Sequence, residues 1–192
     1  MTLQEINALT RDDFVKALGW VFEDSPWVAE AAWNLRPFVS RGELHKAMRQ
    51  QVEDAATKRQ LALLRAHPDL GNRVRMSEAS TREQAGAGLG QLTPEEHDSL
   101  LALNREYRER FGFPFLFAVK GSGNRDIIEA LRRRCGATPE SELREALEQV
   151  YRIAWFRLEE LMGESTSVGR PILAAAGFQP AIVGSQDWRI AR

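Results

Sequence analysis

Residues 93–111 read TPEEHDSLLALNREYRERF, and this stretch decides the fold class. Thr93 can accept the backbone N–H of Glu96 while the Glu96 carboxylate bonds back to Thr93, which is the capping box that opens a helix. Pro94 suits the first helical position, where the N–H that proline lacks would have had no helical partner. Apolar side chains then follow at helical spacing: Leu100, Leu103, Tyr107 and Phe111. The stretch therefore predicts an amphipathic helix with one apolar face.

Similar start signals divide the rest of the chain into helices. The predicted helices run from Thr10 to Leu18, from Ser25-Pro26 to Leu35, from Ser40 onward, from Asn124 to Arg134 and from Thr138 to Met162. The run from Ser40 keeps its apolar spacing to Leu64 and can extend as one long helix that Pro68 ends. His67 is therefore expected at a helix exit.

No pair of alternating strand patterns joined by a tight turn is present, which favours an all-α fold. With no composition change inside the chain, the sequence predicts one domain over residues 1–162, a bundle of about seven to nine helices. Residues 163–192 carry weak helical signal and two Gly/Pro breaks, so we expect an irregular C-terminal tail that packs on the domain or on a partner subunit.

One segment does not fit the helical pattern. Residues 113–119 read FPFLFAV, an apolar run interrupted by proline and bounded by Gly112 and Gly121. It can be a short strand or a buried extended stretch between helices. A buried irregular backbone needs partners for its N–H and C=O groups, and a bound ligand can supply some of them.

Composition narrows the function classes. The chain has 192 residues, 43% of them hydrophobic, with 26 basic and 27 acidic side chains and a net charge of -1. Because the charges nearly balance, the protein lacks a long-range electrostatic field that would attract nucleic acid or anionic lipid. A small-molecule or protein partner is therefore expected. The single cysteine, Cys135, the absence of a leader pattern and the lack of a long apolar stretch indicate a cytoplasmic protein away from membranes.

Three histidines are candidates for chemistry: His45, His67 and His97. None forms an HExxH pair or a Cys/His zinc pattern, so no metal site is expected. His67 stands out because Pro68 forces an extended exit from the helix and Asp69 can hold the local backbone or an imidazole nitrogen. The alternative is a histidine that only interacts with the helix dipole.

A second candidate block is Ser80-x-x-Glu83-Gln84, which also has the form of a capping box. The two interpretations are compatible. A helix N-terminus presents N–H donors to an anionic ligand while it holds the side chains of its first turn.

Three blocks in the same order resemble the OHCU decarboxylase family, whose enzymes act in urate breakdown. They are Ala66-His67-Pro68-Asp69-Leu70, then Ser80-x-x-Glu83-Gln84-x-x-x-Gly88-Leu89, then the run from Phe113 to Gly121. The resemblance implies an all-helical homodimer that needs no metal or organic cofactor. It also implies that His67 is the catalytic proton donor and that Glu83 is the second catalytic residue. The substrate-binding residues implied by matching position are Pro68, Ser80, Gln84, Phe115, Leu116, Phe117, Ala118 and Val119.

The resemblance implies decarboxylation of 2-oxo-4-hydroxy-4-carboxy-5-ureidoimidazoline to (S)-allantoin and carbon dioxide. Such a substrate carries its own electron sink in a neighbouring carbon–nitrogen double bond. The protein therefore has to orient the substrate carboxylate, supply hydrogen-bond donors for the developing charge and deliver one proton. Two alternatives remain open on the sequence. One is a neighbouring hydrolase of urate breakdown, and the other is a non-enzymatic helical interaction module in which residues 113–119 form a docking surface.

Overall fold

Side-chain caps open most of the helices in a computed structural model of the chain, which describes residues 1–70, 80–83 and 92–163. The α-helices with described bounds are α1 (Leu3–Ala8), α2 (Arg11–Leu18), α3 (Trp27–Ala32), α4 (Arg41–Glu53), α5 (Thr57–Ala66), α6 (Pro94–Phe111), α7 (Asn124–Cys135) and α8 (Pro139–Met162). Residues 80–83 are also helical, and 3-10 turns follow α2 and α3. The described residues contain no strand, and the all-α prediction is confirmed.

The capping box that predicted α6 is present. Thr93 Oγ1 accepts the N–H of Glu96 at 3.2 Å, and the Thr93 N–H donates to the Glu96 carboxylate at 3.0 Å. The same pair of bonds opens α1 between Thr2 and Glu5, a helix that the sequence interpretation missed. The signal was present in the spacing Thr2-x-x-Glu5, although only six residues follow it.

The run from Ser40 to Leu64 forms two helices, not one long one. α4 ends at Glu53, and Ala56 has an extended backbone with ψ 144° before α5 begins. The side-chain amide of Gln60 donates to the carbonyl of Val52 at 2.9 Å, so α5 caps the end of α4. This break lets both helices pack against α8, which a single straight helix of that length would not do.

The segment from Phe113 to Val119 is buried, irregular backbone and not a strand. It begins where Gly112, with φ 75°, ends α6 in the left-handed conformation that glycine adopts without steric cost. The Arg65 guanidinium donates to the carbonyl of Gly112 at 2.8 Å, which ties this exit to α5. The end of α5 and the start of the segment are therefore held together.

The 24 residues of α8 run through the centre of the described structure. This helix contacts α4, α5 and the 3-10 turn Gly19–Phe22, and α6 packs on α7 beside it. None of the helices in the described ranges is both long and apolar enough to cross a membrane. The expected tail from residue 164 onward, Gln84 and the Gly88-Leu89 end of the second block lie outside the described residues.

Candidate active site

His67 is the residue that ends α5. Its backbone is extended, with ψ 145°, because the following Pro68 disfavours a helical conformation at this position. The ring turns back on its own helix, where Nδ1 lies 2.9 Å from the carbonyl oxygen of Leu63. A carbonyl only accepts, so Nδ1 carries the hydrogen and Nε2 carries the lone pair. Nε2 has no hydrogen-bond partner in the described part of the chain.

Burial keeps this imidazole neutral. His67 is only 5% exposed, and loss of hydration lowers its pKa to about 4, although the negative charge of Glu23 opposes the shift. At neutral pH the resting ring therefore presents an unprotonated Nε2. It can accept a proton before it can donate one.

Arg157 lies on the inward face of α8 and is 2% exposed. Its Nε and Nη2 donate to the two carboxylate oxygens of Glu83 at 2.8 and 3.1 Å, a bidentate pair. Nη2 also lies 2.8 Å from the carboxylate of Glu23 and 3.1 Å from Ser80 Oγ. Nη1 donates to the carbonyl of Trp20 at 3.1 Å. The guanidinium is thus saturated by the protein, and its main effect is to fix Glu83.

Glu23 is a buried carboxylate that the sequence interpretation did not select. It ends the 3-10 turn after α2, is 7% exposed, and has φ 50°, a left-handed value that non-glycine residues rarely adopt. Its carboxylate accepts the hydroxyl of Ser80 at 3.1 Å and pairs with Arg157. Strained backbone of this kind is concentrated at functional sites.

These groups meet at one pocket. Among the described residues it is lined by His67, Pro68, Leu70, Ser80, Glu83, Phe115, Leu116, Phe117, Val119, Ile153 and Arg157. A larger groove adjoins the pocket and shares Glu83, Val119 and Ile153 with it. Among the described residues, the guanidinium of Arg157 lies near His67 together with the carboxylates of Glu23, Asp24 and Glu83, so these groups carry a net negative charge. The pocket is polar at the Glu83 end and apolar along the segment 113–119.

Most of the residues selected from the sequence come together here. His67, Pro68, Ser80, Glu83, Phe115, Leu116, Phe117 and Val119 line the pocket, while Ala118 lines the adjoining groove. Gln84 lies outside the described residues, and the roles of all these residues remain predictions. Residues 80–83 are helical, with Ser80 already inside the helix, and the hydroxyl of Ser80 donates to the carboxylate of Glu23. Lys120, which directly follows the segment, pairs with Glu159 at 2.8 Å.

Arg157 is the main residue missed. Its signal was available, because it lies at helical spacing from Val150 and Ala154 on the apolar face of α8. A guanidinium on such a face has to find buried partners. The partners themselves, Glu23 and Glu83, are 134 and 74 residues away, and no local pattern links them.

Comparison with known proteins decides the family. The sequence profile of the OHCU decarboxylase family matches residues 7–159. The chain belongs to the OHCU decarboxylase family. Its relatives include 2-oxo-4-hydroxy-4-carboxy-5-ureidoimidazoline decarboxylase of Haloferax volcanii, 49% identical over 83% of this chain and 95% of the relative. The mouse (Mus musculus) protein of the same name is 36% identical over 88% of this chain and 98% of the relative.

Solved structures agree with this OHCU decarboxylase assignment. A crystal structure of (S)-allantoin synthase matches with a TM-score of 0.72 and 32% identity, covering 85% of this chain and 54% of that one. An OHCU decarboxylase crystallised in the presence of (S)-allantoin matches with a TM-score of 0.62 at 21% identity, covering 79% and 97%. The second match shows the shared fold. In Bacillus subtilis a uric acid degradation bifunctional protein is 43% identical over 85% of this chain, which spans 33% of that protein.

Within residues 1–70, 80–83 and 92–163, no group of three or more His, Cys, Asp or Glu side chains is arranged to hold a metal ion. The implied absence of a cofactor stays a prediction. What the described pocket offers is an imidazole, an oriented carboxylate and a length of irregular backbone.

Proposed function

We propose that the chain decarboxylates 2-oxo-4-hydroxy-4-carboxy-5-ureidoimidazoline to (S)-allantoin and carbon dioxide without metal or organic cofactor, with His67 as the proton donor. The observation that carries the proposal is the Nε2 of His67, which has no hydrogen-bond partner among the described residues and lies in the same pocket as the fixed carboxylate of Glu83 and residues of the segment 115–119. Family membership and the similarity to an (S)-allantoin synthase support the same reaction.

The substrate supplies its own electron sink. The bond between the ring carbon and the carboxylate breaks, carbon dioxide leaves, and the electron pair moves toward the neighbouring carbon–nitrogen double bond. The hydroxyl on the carbon that lost the carboxylate then gives up its proton to become a carbonyl, and the adjacent carbon gains a proton to become the stereocentre. The nitrogen takes a further proton from solvent.

His67 can carry the proton between these two positions. Because the resting Nε2 is unprotonated, it first accepts a proton, for which the substrate hydroxyl is the nearest chemical source. The resulting imidazolium is stabilised by the carboxylate of Glu23, whose charge raises the pKa of His67, and it delivers the proton to one face of the ring. A single donor on one side of the pocket accounts for one enantiomer of product.

Glu83 is the binding carboxylate in this proposal. Arg157 fixes it through two hydrogen bonds, so its orientation is set before the ligand arrives. Its side chain is 26% exposed and can accept a hydrogen bond from the ureido N–H groups or the hydroxyl of the substrate. The nitrogens of Arg157 are already paired, so the substrate carboxylate needs another partner.

Carbon dioxide release and the circular dichroism of (S)-allantoin, followed with freshly generated substrate, test the reaction. We expect stoichiometric carbon dioxide together with an optically active product. A neighbouring hydrolase would consume 5-hydroxyisourate without releasing carbon dioxide. An interaction module would consume neither compound, and either result would overturn the proposal.

We also propose that the protein is a cytoplasmic homodimer. The family resemblance supports the dimer, and the free, buried thiol of Cys135 suits a reducing compartment. Light scattering during size-exclusion chromatography should give twice the chain mass of 21.7 kDa, and a mass of one chain at micromolar concentration would refute the dimer.

A further inference from the structure

The segment from Phe113 to Val119 has two sides. The rings of Phe115 and Phe117 are stacked, with centroids 6.1 Å apart and an angle of 22° between their planes. Side chains two residues apart lie about 6.6 Å from each other on one face of an extended chain. The rings of Phe115 and Phe117 therefore lie on one face of the segment.

Two helix side chains bind the backbone of the segment. The Arg134 guanidinium of α7 donates to the carbonyl of Leu116 at 2.7 Å. The side-chain oxygen of Gln149, on α8, accepts the N–H of Ala118 at 2.8 Å. Both anchors are buried, Arg134 at 5% and Gln149 at 4% exposure. The two helices therefore hold the carbonyl of Leu116 and the N–H of Ala118 in place.

The segment lines the pocket through Phe115, Leu116, Phe117 and Val119, whereas Ala118 does not line it. In the described part of the chain, the N–H and C=O of Phe117 and the N–H of Val119 have no hydrogen-bond partner. Backbone groups at a largely buried position need partners, and a ligand that offers a C=O beside an N–H supplies them.

The side-chain amide of Gln149 has a defined orientation. Its Nε2 donates to the carboxylate of Glu145 at 2.7 Å, while Oε1 accepts from Ala118. A carboxylate can only accept and a backbone N–H can only donate, so the two partners fix which end of the side-chain amide is the nitrogen and which is the oxygen. Gln149 thus joins one turn of α8 to one peptide of the segment.

We propose that Gln149, together with Arg134, is a positioning residue of this site, which holds the segment so that the peptides of Phe117 and Val119 bind the N–H and C=O edge of a cyclic ureide. The inference rests on the proposed function for its substrate. Gln149 touches no ligand itself. It acts by deciding which peptide groups face the pocket.

Gln149→Met tests the anchor, because methionine matches glutamine in length but offers Ala118 no good acceptor. We expect KM to rise at least tenfold and the Kd of (S)-allantoin to rise with it, while kcat changes less than threefold. A variant that loses an interaction made equally with the substrate and the transition state shows this pattern, a higher KM with kcat nearly unchanged. Amide hydrogen exchange at Ala118 in the ligand-free protein should accelerate as well.

The double variant Glu145→Gln/Gln149→Glu provides the rescue. It keeps the net charge, and both hydrogen bonds can re-form, with residue 145 now donating to residue 149 and residue 149 still accepting from Ala118. KM, the Kd of (S)-allantoin and exchange at Ala118 should return to within threefold of the wild type. A structural defect of the α8 surface would not be repaired in this way.

Asn7→Leu is the matched control. Asn7 also bonds an extended backbone, through both groups of Phe38 at 2.8 and 2.9 Å, but outside the pocket. It should lower the melting temperature and leave KM unchanged. If Gln149→Met does not fold, Gln149→Ala replaces it, since the smaller side chain leaves room for water to pair with Ala118.

Unchanged KM and unchanged Kd in the folded Gln149 variants would overturn the inference, as would an increase in KM that the double variant does not reverse. A wild type that releases no carbon dioxide would instead refute the proposed function. In that case amide exchange at Ala118 still tests whether Gln149 anchors the segment.

Discussion

At the scale of single residues, the chemistry depends on which nitrogen of His67 holds the hydrogen. The carbonyl of Leu63 takes the Nδ1 hydrogen, and burial lowers the pKa of the ring to about 4. The sequence pointed to His67 through its helix-ending proline, and the family resemblance implied a proton donor. The burial that lowers the pKa of His67 and the carboxylate of Glu23 that opposes this shift depend on distant parts of the chain.

The pH dependence of kcat/KM follows from this protonation state, because kcat/KM reports the free enzyme. If Nε2 has to be unprotonated to accept the hydroxyl proton, activity is lost only as the pH falls through about 4. We therefore expect kcat/KM to stay within threefold between pH 5 and pH 7. A rate that climbs about tenfold per unit as the pH drops from 7.5 toward 6 would instead mean that the resting imidazole is already the acid.

Glu83→Gln separates binding from stability. The amide keeps the size of the side chain, and Glu23 still neutralises Arg157, so the loss of stability should be modest. The fixed negative charge is gone, and we expect kcat/KM to fall by about tenfold to a thousandfold, the loss of ~1.4 to 4 kcal/mol of transition-state stabilisation.

The control for Glu83→Gln is Glu160→Gln, which breaks an exposed pair with Arg82 next to the same helical turn. Its activity and melting temperature should match those of the wild type. Equal kcat/KM for Glu83→Gln and the wild type would remove Glu83 from the site.

At the scale of elements, helix ends were the most predictable feature. Thr10, Ser40, Thr93 and Thr138 each accept a backbone N–H three residues on, as their spacing predicted, because a cap is a contact between near neighbours. The break between α4 and α5 was not predictable in this way. It depends on Gln60 reaching back to Val52 and on packing against α8, and apolar spacing alone continues across it.

A buried cluster joins α6, α7 and α8 behind the irregular segment. The carboxylate of Glu142, 1% exposed, accepts from Arg134 at 2.8 Å through Nε and from the hydroxyl of Tyr107. Burial and the neighbouring Glu142 raise the pKa of Tyr107 above its ordinary range, so the phenol stays a donor. The cluster holds the same Arg134 that binds the Leu116 carbonyl.

Glu142→Gln should therefore be costly for folding. It leaves the buried guanidinium of Arg134 without a counter-charge, and breaking a pair of this kind lowers the free energy of unfolding by about 3–5 kcal/mol. Urea unfolding measures the loss. Glu30→Gln, which removes an exposed pair with Arg11, should cost at most about 1 kcal/mol. If the two variants unfold at similar urea concentrations, the cluster does not stabilise the fold.

At the scale of the whole molecule, composition and helix pattern were enough to predict an all-α fold, and three short blocks were enough to indicate the family. The site could be predicted only in part. The side chains predicted for it fall in blocks that resemble the family, but the pairing of Arg157 with Glu23 and Glu83 joins distant parts of the described chain. Contacts between residues so far apart in the sequence follow from the packing of α8 against the turn Gly19–Phe22, and no local sequence pattern encodes that packing.

The central claim is that His67 moves the proton in a decarboxylation that the substrate otherwise performs with its own electrons. The most direct measurement is the rate of (S)-allantoin formation from freshly generated substrate by His67→Ala, with His97→Ala, outside the pocket, as the control. We expect His67→Ala to lose at least about a hundredfold in kcat, within the range of acid–base catalysis, while its helical circular dichroism and the activity of His97→Ala stay unchanged. Turnover by His67→Ala within threefold of the wild type would contradict the claim.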